Sequence, residues 1–362
     1  MSEPMQSPAE PTVHQRGRSI FLISTPIQLL FASLISRQYK LKPEYVLTTD
    51  YQPSLTQLEE VASRLNLTPV SRLITPSFAN GERLRRMACE SLRWLATRRL
   101  KKSLIPGDRL FLGMLNHASH RPLFHGLHEL AFFDEGTATI SVLERRARGG
   151  CAYTFPPPKV LTWFTALYPR TVHLEPLHYF TVYPGLSGAP GDTVNNVAAE
   201  WPHTLFREKR PVAELWYISS PVVQAGLLSE SRNRSILIAL RDFCATNGLR
   251  LVYYKHRTDV PDPTLSDVEI REPAYPFEVY FGLSDRKPLA MVSIVSSAII
   301  HCKLFFASAC PYFYLDPEHG HDAARVGMVQ RYAANALELP VLSWDNLATA
   351  LTRLVEEQSL DA

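Results

Sequence analysis

The 362-residue sequence has few cysteines, no long apolar run and little net charge, and each absence excludes a class of protein. The five cysteines include no CxxC pair and no Cys/His group with zinc spacing, so neither a disulfide framework nor a structural metal is expected. No apolar run is long enough for a membrane-spanning helix. The formal net charge of +3 gives no indication of a nucleic-acid partner. We therefore expect a globular protein of the cytoplasm.

The length and the first residues predict two domains behind a short tail. A chain of 362 residues exceeds what one hydrophobic core usually serves, and 46% hydrophobic with 20% charged residues is typical of globular proteins. The start, "MSEPMQSPAEPTVHQRGR", is rich in Pro, Ser and Gln and lacks the apolar segment of a signal peptide. We predict a disordered tail over 1–18.

Short apolar runs alternate with amphipathic stretches, which is typical of a parallel sheet covered by helices. Strands are predicted in "SIFLIS", "YVLTT", "RLFLGML" and "ELAFF" and, further on, in "ELWYISS", "LRLVYYKH" and "LAMVSIV". Between the two groups, the Gly- and Pro-rich "YPGLSGAPGDTVNN" indicates a linker or a loop at a domain edge. The predicted architecture is α/β, with two facing Rossmann-like domains over 19–205 and 206–362 and a cleft between them.

Two segments have the periodicity of amphipathic helices. In "SRNRSILIALRDFCATNG" a serine precedes the apolar positions and Gly248 follows them, which predicts a capped helix. In "GERLRRMACESLRWLATRRLKKSL" the leucines share one face and most arginines lie elsewhere. That basic face indicates a solvated surface, and contact with an anionic membrane is the alternative.

Polar residues follow three of the predicted strands at the point where each strand ends. Asp134 and Glu135 follow "ELAFF", His256 follows "LRLVYYK", and Ser296 and Ser297 follow "LAMVSIV". Ligands of such sheets bind beyond the carboxyl ends of the strands. We therefore expect these side chains in the cleft. Neither half contains GxGxxG or the P-loop lysine motif, so dinucleotide and ATP chemistry have little support.

Each group also has a purely structural interpretation. The acidic pair before Gly136 is often a solvent-exposed turn, and strand alternation sends Asp134 and Glu135 to opposite sides. Ser296 and Ser297 can cap the helix that begins at "AIIHC", although a helix N-terminus also offers free N–H groups to a phosphate.

Other polar residues are ambiguous in the same way. Thr25 and Gln28 lie in or just beyond the turn after the first strand, where cleft residues are expected, and Gln28 is equally well an exposed helix residue. Four histidines are close together in the sequence, but their spacing is irregular, so no metal site is predicted. They are His117, His120, His125 and His128.

The order of three motifs resembles one enzyme family. "FFDEG", "YYKHRTD" and "SIVSSAI" are similar to the acidic-acidic-Gly, His-Pro and paired-serine motifs of the bacterial sialyltransferases and polysialyltransferases. "FLISTPIQLL", "YISSPVVQAGLL" and "YPFEVYFGL" resemble neighbouring segments of that family, so the likeness spans roughly residues 19 to 310. The sequence departs from the family at Arg257, where the family motif has Pro. The resemblance implies a GT-B fold and transfer of sialic acid from CMP-sialic acid to a glycan hydroxyl with inversion.

On the acceptor side, the resemblance implies a carboxylate base and an open space beside it. A carboxylate within hydrogen-bond reach can accept the proton of the acceptor hydroxyl as the new bond forms. Asp134 is the first choice for this base and Glu135 the second. Gly136 lets the backbone turn and leaves room for a sugar, and Thr25 and Gln28 belong to the same wall.

On the donor side, the leaving nucleotide phosphate needs hydrogen-bond donors that are already in place. His256, Ser296 and Ser297 are suitable donors, and Lys255 or Arg257 adds positive charge. By family analogy, the nucleotide pocket also includes Pro276, Glu278 and, in "YISSPVVQAGLL", Ser220. Glu278 is equally well a surface charge. The resemblance implies a reaction that needs neither a metal nor a cofactor.

The expected partners are a nucleotide sugar and an oligosaccharide acceptor of the lipooligosaccharide or capsule type. The expected location is the cytoplasm, with peripheral contact at the cytoplasmic face of the inner membrane as a further option. Two alternatives remain open: the same fold with another CMP-ulosonic acid or another nucleotide sugar, and a non-catalytic subunit that binds glycan or nucleotide. The sequence decides neither the acceptor, the linkage nor the oligomeric state.

Overall fold

The structure is a computed structural model, and it describes most of the chain. The described residues are 17–48, 52–68, 70–73, 92, 95–113, 118–124, 126, 128–149, 153–155, 172–174, 176–256, 259–260, 265–316 and 323–360. Residues 1–16 of the predicted tail lie outside them. Arg18, the last residue of that predicted tail, is held in place, because its guanidinium lies 2.7 Å from a carboxylate oxygen of Asp108.

Seven strands of the N-terminal half form one parallel sheet in the order β3-β2-β1-β4-β5-β8-β9. The strands are β1 Ser19–Ile23, β2 Pro43–Leu47, β3 Val70–Arg72, β4 Arg109–Leu112, β5 Glu129–Phe133, β8 His178–Thr181 and β9 Thr193–Asn196. The helices are α1 Pro26–Gln38, α2 Gln52–Arg64, α3 over 95–103, and α4 Ala138–Ala147. A separate antiparallel pair joins β6 Tyr153–Phe155 to β7 Val172–Leu174.

Six strands of the C-terminal half form a second parallel sheet in the order β13-β12-β11-β15-β16-β17. The strands are β11 Glu214–Ile218, β12 Arg250–Tyr254, β13 Glu269–Arg271, β15 Ala290–Ser293, β16 Tyr312–Leu315 and β17 Val341–Leu342. Its helices are α5 Glu230–Thr246, α6 Phe277–Leu283, α7 Ser297–Phe305, α8 Ala323–Leu337 and α9 Trp344–Leu360. A short parallel pair, β10 Arg210–Pro211 with β14 Arg286–Lys287, lies beside it.

The prediction of two Rossmann-like domains with parallel sheets is confirmed. All five residues of β1 and of β11 are buried, as expected for strands covered by helices on both faces. One cluster of buried side chains runs without interruption from Leu110 and Phe132 in the first sheet to Trp216 and Met291 in the second. The two halves therefore share a packed interface.

Several local predictions need correction. The helix predicted in "SRNRSILIALRDFCATNG" begins earlier, because Ser229 is its N-cap and accepts a hydrogen bond from the Arg232 N–H. Strand β16 was not predicted, and the apolar "KLFFASA" before it begins inside α7. The basic segment at 81–104 is described only at 92 and from 95 onward, where it is helical to 103. Within the described ranges, no helix is both long and apolar enough to cross a bilayer.

The Gly- and Pro-rich segment is an integral part of the first domain. It ends in the edge strand β9, and its Asp192 is buried against Arg146 of α4 with two N···O distances of 2.6 and 2.7 Å. Asp192 also accepts the N–H groups of Leu177 and Ala189. This buried pair fastens the helix that follows the Asp134–Gly136 loop.

Candidate functional site

A cavity of about 450 Å³ lies between the two sheets, beyond the carboxyl ends of their central strands. The N-terminal half contributes Thr25, Pro26, Ile27, Gln57, Glu135 and Gly136 to its wall. The C-terminal half contributes Ser219, Tyr254, Lys255, His256, Glu272, Tyr275, Pro276, Phe277, Glu278, Ser296, Ser297 and His301, among others. Three groups that are far apart in the sequence thus meet at one place.

The loop after β5 separates its two carboxylates. Glu135 lies in the cavity wall, whereas Asp134 is 1% exposed and lies behind that wall. One Asp134 oxygen, Oδ2, accepts the Val182 N–H at 2.7 Å, and among the described residues Oδ1 has no hydrogen-bond partner. Burial raises the pKa of Asp134 to about 7, and the Val182 N–H and the hydroxyls of Thr181 and Thr139 oppose that rise. Asp134 and Glu135 therefore lie on opposite sides, as strand alternation predicted.

Gly136 brings this loop against the second domain. Its φ is 79°, a left-handed conformation that favours glycine. A Cβ at this position would lie 3.6 Å from the Ser297 Oγ. The acidic loop and the paired serines are therefore direct neighbours across the cleft.

The turn after β1 presents Thr25 to the cavity and uses Gln28 as its support. Thr25 is the N-cap of α1 and forms a capping box with Gln28. The Gln28 Oε1 accepts the Ser24 and Thr25 N–H groups at 2.7 and 3.2 Å. Gln28 is 1% exposed, so the alternative of an exposed helix residue is wrong. Its side chain does not line the cavity and stabilises the turn through these two hydrogen bonds.

The end of β12 places two predicted donor-side residues in the cavity. The His256 N–H donates to the Ser219 Oγ at 2.7 Å, which fixes the backbone where His256 leaves the strand. Lys255 forms an ion pair with Glu272 at 3.0 Å. Arg257 lies outside the described residues. Ser219, which the sequence analysis did not single out, lies in the wall, whereas the neighbouring Ser220 does not.

The paired serines begin α7 at the cavity. Ser296 is the N-cap and accepts the Ala298 N–H at 3.3 Å, and its carbonyl accepts the Tyr314 hydroxyl at 2.6 Å. Ser297 is the first helical residue and borders both the cavity and Gly136. The capping interpretation is therefore confirmed for Ser296. It is compatible with a ligand, because the first turn of a helix leaves N–H groups without intrahelical partners.

The segment before α7 contributes Pro276 and Glu278. Pro276 is the N-cap of α6, and both residues lie in the cavity wall. Glu278 is 5% exposed and its Oε1 lies 2.5 Å from the His301 Nδ1, so the alternative of a surface charge is wrong. His301 was not among the residues predicted from the sequence. It lies four residues after Ser297 on the same helix face, and that spacing was the available signal.

The histidine-rich segment has a structural role where it is described. The His128 Nε2 lies 2.7 Å from the Leu123 carbonyl oxygen, a contact that joins two residues of this segment just before β5. His117 and His125 lie outside the described residues. Within the described part of the chain, no group of three or more His, Cys, Asp or Glu side chains is arranged to hold a metal ion.

Comparison with known proteins gives a fold and no family. No protein-family model and no curated protein matches the sequence. Among solved structures, a UDP-N-acetylglucosamine 2-epimerase is similar with a TM-score of 0.51 and 10% identity, over 94% of this chain and 88% of that chain. Arabidopsis thaliana UGT89C1 complexed with UDP-L-rhamnose is similar with a TM-score of 0.50 and 10% identity, over 94% and 91% of the two chains. The chain therefore has a GT-B fold.

Proposed function

We propose that this protein is an inverting glycosyltransferase that transfers sialic acid from CMP-sialic acid to a hydroxyl of a surface glycan. One observation carries the proposal. The three groups that resemble the sialyltransferase motifs come from different strands of two domains, and they border one interdomain cavity. The fold is compatible with this activity but does not select it, because one fold serves many functions.

The donor side of the cavity suits a nucleotide phosphate. Ser297 and the first turn of α7 offer a hydroxyl and backbone N–H groups, and His256, two residues after β12, lines the same cavity. Donors fixed before the reaction stabilise charge that develops on a leaving phosphate. Lys255 adds a positive charge, and its ion pair with Glu272 fixes the position of the ammonium group. These groups replace a divalent cation in the proposed reaction.

The acceptor side has a carboxyl group suited to take a proton. A general base works best when its pKa lies near the working pH, and that of Asp134 is about 7. Its Oδ1 lacks a hydrogen-bond partner among the described residues, and an acceptor hydroxyl would supply one. Glu135 already faces the cavity. In this proposal Glu135 orients the acceptor, and Asp134 becomes accessible and accepts the proton as the loop adjusts to the bound sugar.

Donor hydrolysis tests the proposal without knowledge of the acceptor. Purified protein should release CMP slowly from CMP-sialic acid, and UDP-N-acetylglucosamine and UDP-L-rhamnose should yield no UDP. His256→Ala should lower the rate of CMP release about 10²- to 10³-fold, and His203→Ala, a change at an exposed histidine outside the cavity, should leave it unchanged. Release of UDP from a UDP sugar, without release of CMP from CMP-sialic acid, would show that the donor is a UDP sugar. Binding of CMP without release from any donor would favour a non-catalytic subunit.

The same assay tests the metal-independent site. We expect CMP release to continue in excess EDTA, because His256, Ser297 and the α7 N-terminus take the place of magnesium at the phosphate. The control is the EDTA-treated protein with magnesium or manganese restored. Loss of turnover on chelation, followed by recovery with either ion, would contradict the proposed site.

A further inference from the structure

A buried chain of two hydrogen bonds crosses from one domain to the other beside the cavity. The Tyr183 hydroxyl, two residues after β8, lies 2.7 Å from the His301 Nε2 on α7. The His301 Nδ1 lies 2.5 Å from the Glu278 Oε1 on α6. Tyr183 and His301 are no more than 1% exposed. The three side chains therefore link the N-terminal sheet to the donor wall through a single imidazole.

The direction of both hydrogen bonds follows from the chemistry of the partners. An ionised carboxylate only accepts, so Nδ1 carries a proton and donates to Glu278. Burial and the neighbouring carboxylates of Asp134 and Glu278 raise the pKa of Tyr183 well above its usual value, so its hydroxyl keeps its proton. Among the described residues that hydroxyl has no other partner, and we infer that it donates to Nε2. The chain thus runs from Tyr183 through the His301 ring to Glu278.

The surroundings hold the imidazole and leave the far end of the chain open. Phe31 of α1 packs edge-on against the His301 ring, with 5.3 Å between centroids, and the Tyr183 ring stacks on it at 5.8 Å. At the far end, no described residue donates a hydrogen bond to the Glu278 Oε2, and Glu278 lies in the cavity wall. One carboxylate oxygen is fixed by the protein, and the other remains available to a ligand.

We propose that His301 and Tyr183 are positioning residues that fix the Glu278 carboxylate as a hydrogen-bond acceptor for hydroxyl or amino groups of the nucleotide sugar. This inference rests on the proposed function. Neither residue needs to touch the substrate. Without the chain, the Glu278 carboxylate would lose its orientation, so donor binding would weaken while the chemical step at Asp134 and His256 would be unaffected.

Tyr183→Phe tests the inference with the smallest change, because it removes one hydroxyl and keeps the stacked ring. Tyr332→Phe is the matched control. The Tyr332 hydroxyl is bonded to the Pro184 carbonyl at 2.8 Å, and its ring packs edge-on against Tyr183 at 6.0 Å. The control thus removes a similar hydrogen bond from the same region without touching the chain. The assay is CMP release from CMP-sialic acid.

We expect Tyr183→Phe to raise the KM for the donor about tenfold, the upper range for one net hydrogen bond, with kcat changed less than about twofold. Tyr332→Phe should match wild type in both. In a His301→Gln background, Tyr183→Phe should cause no further loss, because residues that act through one another are not additive. A purely structural role for Tyr183 would instead give additive losses.

Nuclear magnetic resonance of the full-length protein provides a second, independent readout. In wild type the His301 ring nitrogens should have the signature of a protonated Nδ1 and an unprotonated Nε2, and Tyr183→Phe should alter the Nε2 signal. An active protein in which Tyr183→Phe leaves KM unchanged, or a His301 ring protonated on Nε2, would overturn the inference. A wild-type protein that releases nucleotide from no donor would instead refute the proposed function.

Discussion

Asp134→Asn should separate the stability of the protein from its activity. The carboxyl group is fully buried, and its pKa is raised from 3.8 to about 7 because burial penalises the charged form. The variant keeps the shape and the carbonyl oxygen that accepts the Val182 N–H. It removes the charge that the interior opposes and the base that the proposed reaction needs. We therefore expect a more stable protein at alkaline pH that is nearly inactive.

The magnitude and its sign follow from the pKa difference. A rise from 3.8 to about 7 corresponds to about 4 kcal/mol. Below about pH 4 the carboxyl is neutral in both states and this cost is absent. As the pH rises towards 7, ionisation of the unfolded chain favours unfolding, and above the folded pKa the cost is complete. Between pH 5 and pH 8 wild type should lose about 2 to 3 kcal/mol through this group alone.

The measurement is urea unfolding followed by circular dichroism at pH 5 and pH 8. The difference in the free energy of unfolding between Asp134→Asn and wild type should increase by about 2 to 3 kcal/mol across that interval. Glu135→Gln is the control, because Glu135 is partly exposed in the cavity wall and should give no such increase. An Asp134→Asn protein whose pH dependence equals that of wild type would refute the buried, elevated carboxyl.

Activity assays on the same two variants test the assignment of roles. Asp134→Asn should lower sialyl transfer by about 10²-fold or more, with CMP affinity nearly unchanged. Glu135→Gln should affect turnover less and acceptor affinity more. The reverse pattern would mean that Glu135 is the base and Asp134 binds the acceptor. Normal transfer by both variants would mean that the two residues only form a turn.

Three further changes test the phosphate site, the loop and the support behind it. His256→Ala should lower turnover about 10²- to 10³-fold with unchanged circular dichroism, and near-normal turnover would remove His256 from the site. Gly136→Ala should lower the free energy of unfolding by about 1 to 2 kcal/mol and lower turnover, because the φ of 79° is strained for alanine. The new Cβ itself would make only an ordinary contact of 3.6 Å with the Ser297 Oγ. Urea unfolding equal to that of wild type would contradict this backbone strain. Arg146→Ala should lower the free energy of unfolding in urea by about 3 to 5 kcal/mol, because it leaves the buried Asp192 carboxylate without its partner. A loss below about 1 kcal/mol would mean that this ion pair is no stronger than a surface pair.

The sequence by itself determined the layered α/β architecture. Strands such as β1, β5, β11 and β12 are mainly apolar because both faces of a parallel sheet are covered, and this local pattern does not depend on distant contacts. The sequence also predicted that polar residues from several strand ends lie together, because parallel strands place the residues after their carboxyl ends at one edge, and Glu135, His256, Ser296 and Ser297 do line one cavity. Several strands, among them β8, β13 and β16, were not predicted, and the start of α5 was placed too late.

Only the tertiary structure decided what each polar residue contacts. Asp134 and Glu135 are adjacent in sequence, and packing of Val182 and the Thr139 and Thr181 hydroxyls around one of them gives the two carboxyls different environments. Tyr183 and His301 are separated by 118 positions and share one hydrogen bond. Burial and pairing of polar groups depend on side chains brought together from distant strands, and no local periodicity encodes such contacts.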